Sequence, residues 1–353
     1  MVHAFNRAFD SGEKLRLLSL FGAVAFLHVA GFGLLLLYGL SNPTFLGLGG
    51  LAYTFGLRHA FDADHISAID NTTRKLLQDG RKPVGIGFFF SLGHSTVVFL
   101  IAILLGFAVK SVVDGVISDS GELKSIGGVV GTSVSGVFLL VIGVLNLLIL
   151  LDIVRVYRRM QRGDYDRDSL QHELVAGGLM TRLFGRLFRR IGASWHLYPV
   201  GFLFGLGFDT ASEVALLAIS AGAAANGVPF LAVVSLPLIF AAGMSLMDTT
   251  DGAFMSKAYS WAFSNPIRKV FYNLTVTSLS VFVALFIGVV ELLQILVRTV
   301  GLKGGAFDLL GGLDFGVLGF VIVGAFVVTW AAAFTIFKVR RVEQRWTELV
   351  SGE

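Results

Sequence analysis

Cysteine is absent from this 353-residue chain. That excludes disulfides and thiolate metal ligands, so any metal site must use nitrogen and oxygen donors, with methionine sulfur as the one soft alternative. Charge is also scarce: Asp, Glu, Lys and Arg make up 15% of residues, against about 25% in a typical soluble domain. Proline occurs six times. Pro43, Pro83, Pro199, Pro229 and Pro266 lie near the starts of apolar runs, where proline is tolerated, whereas Pro237 sits inside a run and is expected to kink it. There is no Gly-x4-Gly-Lys-Ser/Thr segment, so the chain itself is not expected to hydrolyse ATP. The His-Glu-x-x-His signature of a zinc protease is missing too. Basic residues fall between apolar runs rather than on a polar domain, so nucleic-acid binding is not expected.

What remains is apolar: 55% of residues are hydrophobic and the mean hydropathy is +0.78. A globular core cannot absorb that much apolar surface, but a bilayer can. The 43 glycines agree, because Gly is more frequent in membrane helices than in soluble ones. A spanning helix needs roughly 20 mostly apolar residues. The chain divides into eight such spans, at about 15–40, 45–71, 83–109, 127–151, 197–222, 228–257, 268–298 and 313–337. The first is too long for a signal-peptide core and lacks a small-residue cleavage site, so it reads as a membrane helix. The expected fold is therefore all-α and polytopic.

Lys and Arg set the orientation. Arg7, Lys14 and Arg16, then Arg74, Lys75, Arg81 and Lys82, then the stretch from Arg155 to Arg190, then Lys257, Arg268 and Lys269, and finally Lys338 to Arg345 make one set of connections basic. The alternate set, at 41–45, 110–126, 223–229 and 299–312, has few or none. Both the N-terminal segment 1–14 and the C-terminal tail 338–353 are thus expected in the cytoplasm. The connection 152–196 separates spans one to four (15–151) from spans five to eight (197–337). Its basic, amphipathic part from Arg182 to Arg190 fits a helix lying on the lipid surface. Phe55-Gly56-Leu57 is echoed by Phe204-Gly205-Leu206, and Gly93-His94-Ser95 by Gly243-Met244-Ser245, at nearly the same spacing. The echoes relate spans two and three to spans five and six, which have opposite orientation. This is the pattern of an inverted repeat around a central site.

The second span holds Arg58-His59-Ala60-Phe61-Asp62-Ala63-Asp64-His65. Left unpaired, Arg58, Asp62 and Asp64 would cost on the order of 8–10 kcal/mol in the bilayer centre, so partners or a bound ion must compensate. His59, Asp62 and His65 drift along one side of an ideal helix while Asp64 points elsewhere. Local unwinding near Gly56 would let several of these groups meet one ion. His94, with Ser95 and Thr96, lies near the middle of the third span. The fifth contributes Asp209, Thr210, Ser212 and Glu213, the sixth Met244 and Asp248, and the seventh Asn273. Asp248 falls toward the cytoplasmic rim. His28 in the first span reads as a helix–helix hydrogen-bonding residue. Imidazole suits nickel, copper, zinc and iron. Three histidines with carboxylates and no thiolate therefore point to a divalent borderline ion; nickel and cobalt fit, and ligand type leaves zinc open. The competing reading of these residues is a structural polar network.

On these motifs the chain resembles the nickel/cobalt transporter (NiCoT) family of secondary permeases. Arg58 through Ile66 matches the family's second-helix segment without departure. Leu92 to Val98, Leu206 to Glu213, Gly243 to Asp248 and Arg268 to Asn273 resemble further family patterns. The resemblance implies eight transmembrane helices and high-affinity uptake of nickel(II), cobalt(II) or both across the bacterial cytoplasmic membrane. The ion would be cargo rather than cofactor, no ATPase would be required, and the partners would be the ion and membrane lipid. It further implies that His59, Asp64, His65 and His94 hold the metal. Arg58, Asp62, Ser95, Thr96, Asp209, Thr210, Glu213, Met244, Asp248 and Asn273 are expected along the path or behind the ligands. The alternative function is a metal-binding subunit or sensor of a larger importer; neither reading is enzymatic.

Overall fold

A computed structural model describes residues 9–107, 122–162, 192–206, 211–263, 266–313 and 315–351. All regular structure among them is helical. In chain order the helices are α1 (Ser11–Gly39), α2 (Pro43–His59), α3 (Ala63–Gln78), α4 (Ile86–Phe107), α5 (Glu122–Gln161), α6 (Leu197–Phe204), α7 (Ala211–Ala225), α8 (Phe230–Phe263), α9 (Pro266–Tyr272), α10 (Ser278–Val300), α11 (Ala306–Gly311), α12 (Phe315–Val339) and α13 (Val342–Ser351). A 3-10 turn over Ser194–His196 precedes α6, and a π-helical turn over Asn273–Thr277 joins α9 to α10.

Among the described residues, six helical stretches are long and apolar enough to cross a membrane. They lie in α1, α4, α5, α8, the stretch Val270–Val300 and α12. The expected second and fifth spans are each divided: α2 ends at His59 and α3 begins at Ala63, while α6 ends at Phe204 and α7 begins at Ala211. The amphipathic stretch 182–190 lies outside the described residues. Large apolar side chains on the outer faces of α1 and α12, among them Leu18, Phe26, Leu37, Val321 and Val328, are exposed as a lipid-facing surface would be. Only 17% and 22% of the apolar stretches of α1 and α12 are buried, against 61% and 67% for α4 and α8. The first pair is therefore peripheral and the second central.

The interruption after α2 does not fall at Gly56. That residue is inside the helix, where a Cβ would sit 2.1 Å from the Phe240 carbonyl oxygen. Its lack of a side chain lets α2 and α8 touch backbone to backbone, as small residues do between membrane helices. The ladder breaks three residues later, where Phe61 N–H bonds to the Arg58 carbonyl at 3.0 Å and Asp62 N–H to the His59 carbonyl at 2.9 Å.

α3 is the polar axis of the bundle, enclosed by α5, α8, α10 and α12. Arg74 and Lys75 were expected in a cytoplasmic connection, but α3 continues to Gln78 and both are fully buried. Pairing explains this. Arg74 Nε bonds to Asp70 Oδ2 at 3.1 Å and Nη1 to Thr277 Oγ1 at 2.7 Å, and the guanidinium lies 3.9 Å over the Tyr259 ring. Tyr259 and Ser280 both donate to Asp70, and Arg74 also donates to the Tyr259 hydroxyl. Lys75 bonds to Asp79 at 2.7 Å. One buried network thus ties α3 to α8, α10 and the π-helical turn.

At the chain's start Asp10 and Glu13 form a capping box on α1, with Oδ1 of Asp10 2.8 Å from the Glu13 N–H. Asp10 also pairs with Lys82, which fastens α1 to the connection before α4 and lowers the Asp10 pKa from its ordinary value.

Candidate metal centre

His59 is the last residue of α2 and His65 the third of α3. On a straight helix they would lie almost two turns apart. The break between them folds the two rings together, with centroids 4.7 Å apart. His94, from α4, stands 4.8 Å from each. All three are buried, and one ring nitrogen from each lies within 4.8 Å of the others. The walls are apolar: Phe240 is 5.6 Å from the His59 ring and Phe90 is 4.8 Å from the His65 ring.

A carboxylate lies at Nδ1 of two of the rings, and one of them is hydrogen-bonded to it. Asp62 Oδ2 is 2.9 Å from His59 Nδ1, which also lies 3.2 Å from Ser212 Oγ. Asp248 Oδ2 is 3.1 Å from His65 Nδ1. A carboxylate that accepts from Nδ1, as Asp248 does at His65, makes that nitrogen the N–H and leaves Nε2 as the donor atom for a metal, the usual carboxylate–histidine–metal arrangement. His65 Nε2 and His94 Nδ1 are buried with no hydrogen-bond partner among the described residues. His59 Nε2 and His94 Nε2 are 3.0 Å apart, so they must share one proton or one ion. An ion with bonds of about 2.0–2.1 Å needs donor–donor separations of roughly 2.9–3.4 Å. Glu213 Oε1 closes the group at 2.6 Å from His94 Nε2.

Local structure explains the carboxylates. Asp62 occupies the N-cap position of α3 without a side-chain capping bond, Asp64 lies in the first turn, and Glu213 lies in the first turn of α7. A helix N-terminus favours negative charge, so both divided spans aim acid-bearing ends at the histidines.

The remaining expected residues divide by position. Asp248, anticipated at the rim, is buried beside His65. The reason is that α8 runs unbroken through Pro237 from Phe230 to Phe263. Asp64 is half-buried, and its Oδ1 accepts the His65 backbone N–H at 2.9 Å. Arg58 is half-buried at the end of α2. Ser95 is buried next to His94. Thr96 faces α6, donating to the Leu92 carbonyl at 2.7 Å and meeting the Tyr198 hydroxyl at 3.2 Å. Met244 packs in an apolar cluster with Val98, Leu216 and Phe240. Asp209 and Thr210 lie outside the described residues, as does the side chain of Asn273 in the π-helical turn. His28 bonds the Val24 carbonyl at 2.8 Å and the Tyr53 hydroxyl at 3.2 Å, as a helix–helix residue. Sequence reasoning missed Phe90 and Phe240 as walls, because phenylalanine is too common here to signal a site. It also missed the Asp70–Arg74 pair, whose i, i+4 spacing was a usable signal.

Residues 45–336 match the family model described as high-affinity nickel-transport protein. The chain is 52% identical to the nickel transporter NicT of Mycobacterium tuberculosis over 351 residues, covering 97% of this chain and 94% of the relative. It is 47% identical to the high-affinity nickel-transport protein NixA of Helicobacter pylori J99 over 326 residues, or 91% and 96% of the two chains. Its identity to the cobalt transport protein NhlF of Rhodococcus rhodochrous is 41% over 339 residues, or 94% and 95%. No solved structure matches. With apolar membrane-crossing helices and a match spanning most of its length, the chain is a multi-pass membrane protein that belongs to the high-affinity nickel-transport family.

Proposed function

We propose that this protein carries nickel(II), cobalt(II) or both into the bacterial cytoplasm through the centre formed by His59, His65 and His94. The observation that carries the reading is the convergence of three buried imidazoles, two of them with a carboxylate beside Nδ1, on a helix break inside an apolar bundle. The relatives' printed activities, nickel transport in NicT and NixA and cobalt transport in NhlF, agree with it.

In this reading the ion sheds most of its water on entering. His59, His65 and His94 supply neutral nitrogen donors, with Asp248 holding His65 in the required tautomer and Asp62 beside Nδ1 of His59. Asp64, in the first turn of α3, offsets the ion's charge and is a further ligand candidate; Glu213 offsets it from α7. Arg58, Ser95, Thr96, Asp209, Thr210, Met244 and Asn273 line the path or hold the helices around it. The paired α2/α3 and α6/α7 segments count as the second and fifth of eight spans. A Phe-Gly-Leu lies shortly before the first interruption, at 55–57, and another begins at the end of α6, at 204–206, which supports an inverted repeat whose halves rock about the site to alternate access. The basic connections that remain once Arg74 and Lys75 are set aside support a cytoplasmic location for both termini.

Radioactive nickel and cobalt uptake in cells that lack other importers and carry only this gene tests the proposal. Saturable accumulation is expected, with loss on the order of 100-fold in His94→Ala at normal protein level. If the isolated gene confers no accumulation of either ion, the chain is a subunit or sensor instead.

A further inference from the structure

We infer that α12, which carries no ionisable residue between Phe315 and Phe337, positions the metal centre through its contact with the α2–α3 break, where Gly319 seats the Phe61 carbonyl. This rests on the proposed reading of the histidine cluster as an ion site.

Gly319 is buried on an otherwise peripheral helix. A Cβ built there would lie 1.6 Å from the Phe61 carbonyl oxygen, 2.8 Å from the Phe61 carbonyl carbon and 3.2 Å from the Ala63 nitrogen. All three atoms are backbone, so no side-chain rotation relieves the overlap. Phe61 is in the turn between α2 and α3, where its carbonyl has left the helical ladder. The glycine Cα can approach such a carbonyl closely, as at other close crossings of membrane helices. The next residue adds a second hold: the Phe320 ring stacks on Phe61, with centroids 5.3 Å apart and planes at 21°.

The consequence follows from chain connectivity. His59 and Asp62 lie on either side of Phe61, and His65 is the third residue of the helix that Ala63 starts. The angle at this turn therefore sets the relative placement of two imidazoles and the carboxylate beside one of them. Any side chain at position 319 must push α12 away or move the turn. Movement of this kind disturbs a metal site, whose bond lengths hold within about 0.2 Å. Gly319 and Phe320 are thus positioning residues that touch no ion. The lipid-facing helix on the bundle's edge becomes a determinant of affinity.

The test uses the purified full chain in detergent, titrated with cobalt(II) alone and read by its ligand-field absorption. Gly324 lies on the same helix with nothing within 4 Å of its would-be Cβ, so Gly324→Ala controls for losing a helical glycine. The expected result is a His59-dependent cobalt band in the wild type and in Gly324→Ala. In Gly319→Ala the band should be shifted and the affinity weakened by on the order of 10–100-fold. Wild-type affinity and spectrum in a folded Gly319→Ala would overturn the inference. If that variant does not fold, Phe320→Ala decides: a shifted band supports the hold on the turn, and an unchanged one overturns it. A wild-type band that survives His59→Ala, or no band at all, would instead defeat the ion-site reading, whatever position 319 does.

Discussion

Replacing His59 with alanine is expected to reduce nickel and cobalt uptake by on the order of 100-fold or more while leaving a folded protein. His59 does more at the centre than its two fellow histidines. Its Nδ1 meets both Asp62 at 2.9 Å and Ser212 at 3.2 Å, and its Nε2 faces His94 at 3.0 Å. It thus links α2, α4 and α7, and it is the donor from which the other two imidazoles take their separation. Truncation removes one ligand and leaves the buried Asp62 without its imidazole partner. Ser212→Ala, which removes only a weak neighbour of Nδ1, should cost far less, about 10-fold. Uptake measured at matched membrane protein levels separates these outcomes. Normal transport in His59→Ala would remove the histidine cluster from the ion's path.

The second large effect concerns stability. Arg74→Ala is expected to destabilise the protein by about 3–5 kcal/mol, because it strands a buried carboxylate. Asp70 would keep Tyr259 and Ser280 as donors but lose its only described cationic partner. Removing both charges in the Asp70→Ala, Arg74→Ala double variant should recover part of the loss, since no unpaired charge remains. Lys82→Ala, which breaks an exposed pair with Asp10, should leave stability almost unchanged. Thermal unfolding in one detergent, followed by tryptophan fluorescence, makes the comparison. An Arg74→Ala protein as stable as the wild type would show that this network is not what holds α3 to α8 and α10.

These two cases mark what the sequence made legible. Helix class, the apolar stretches and the chemistry of the second-span cluster all follow from composition and from five ionisable residues packed into Arg58–His65. The depth of His94 was legible from its place within an apolar run. The break at 60–62 was legible only in part: unwinding was expected near Gly56, and Asp is a favoured N-cap residue, but the helix parts three residues further on, where Gly319 of α12 meets the Phe61 carbonyl. An unbroken helix would have left His59 and His65 too far apart to share an ion, so the most consequential feature of the site is tertiary. Arg74 and Lys75 were misplaced for a related reason. Charge at the end of an apolar run reads as a cytoplasmic flank, and only the positions of Tyr259, Thr277 and Ser280 on other helices reveal a partner set able to bury it. Asp248 was set too shallow because span ends were counted from hydropathy, whereas α8 extends well beyond its most apolar part.

The most direct test of the central claim is X-ray absorption at the nickel edge on the purified, nickel-loaded protein. Coordination by about three imidazoles with nitrogen or oxygen completing the shell, lost in a variant lacking His59, His65 and His94, is the expected result. A fully hydrated ion, or an imidazole signal that persists in that variant, would contradict it.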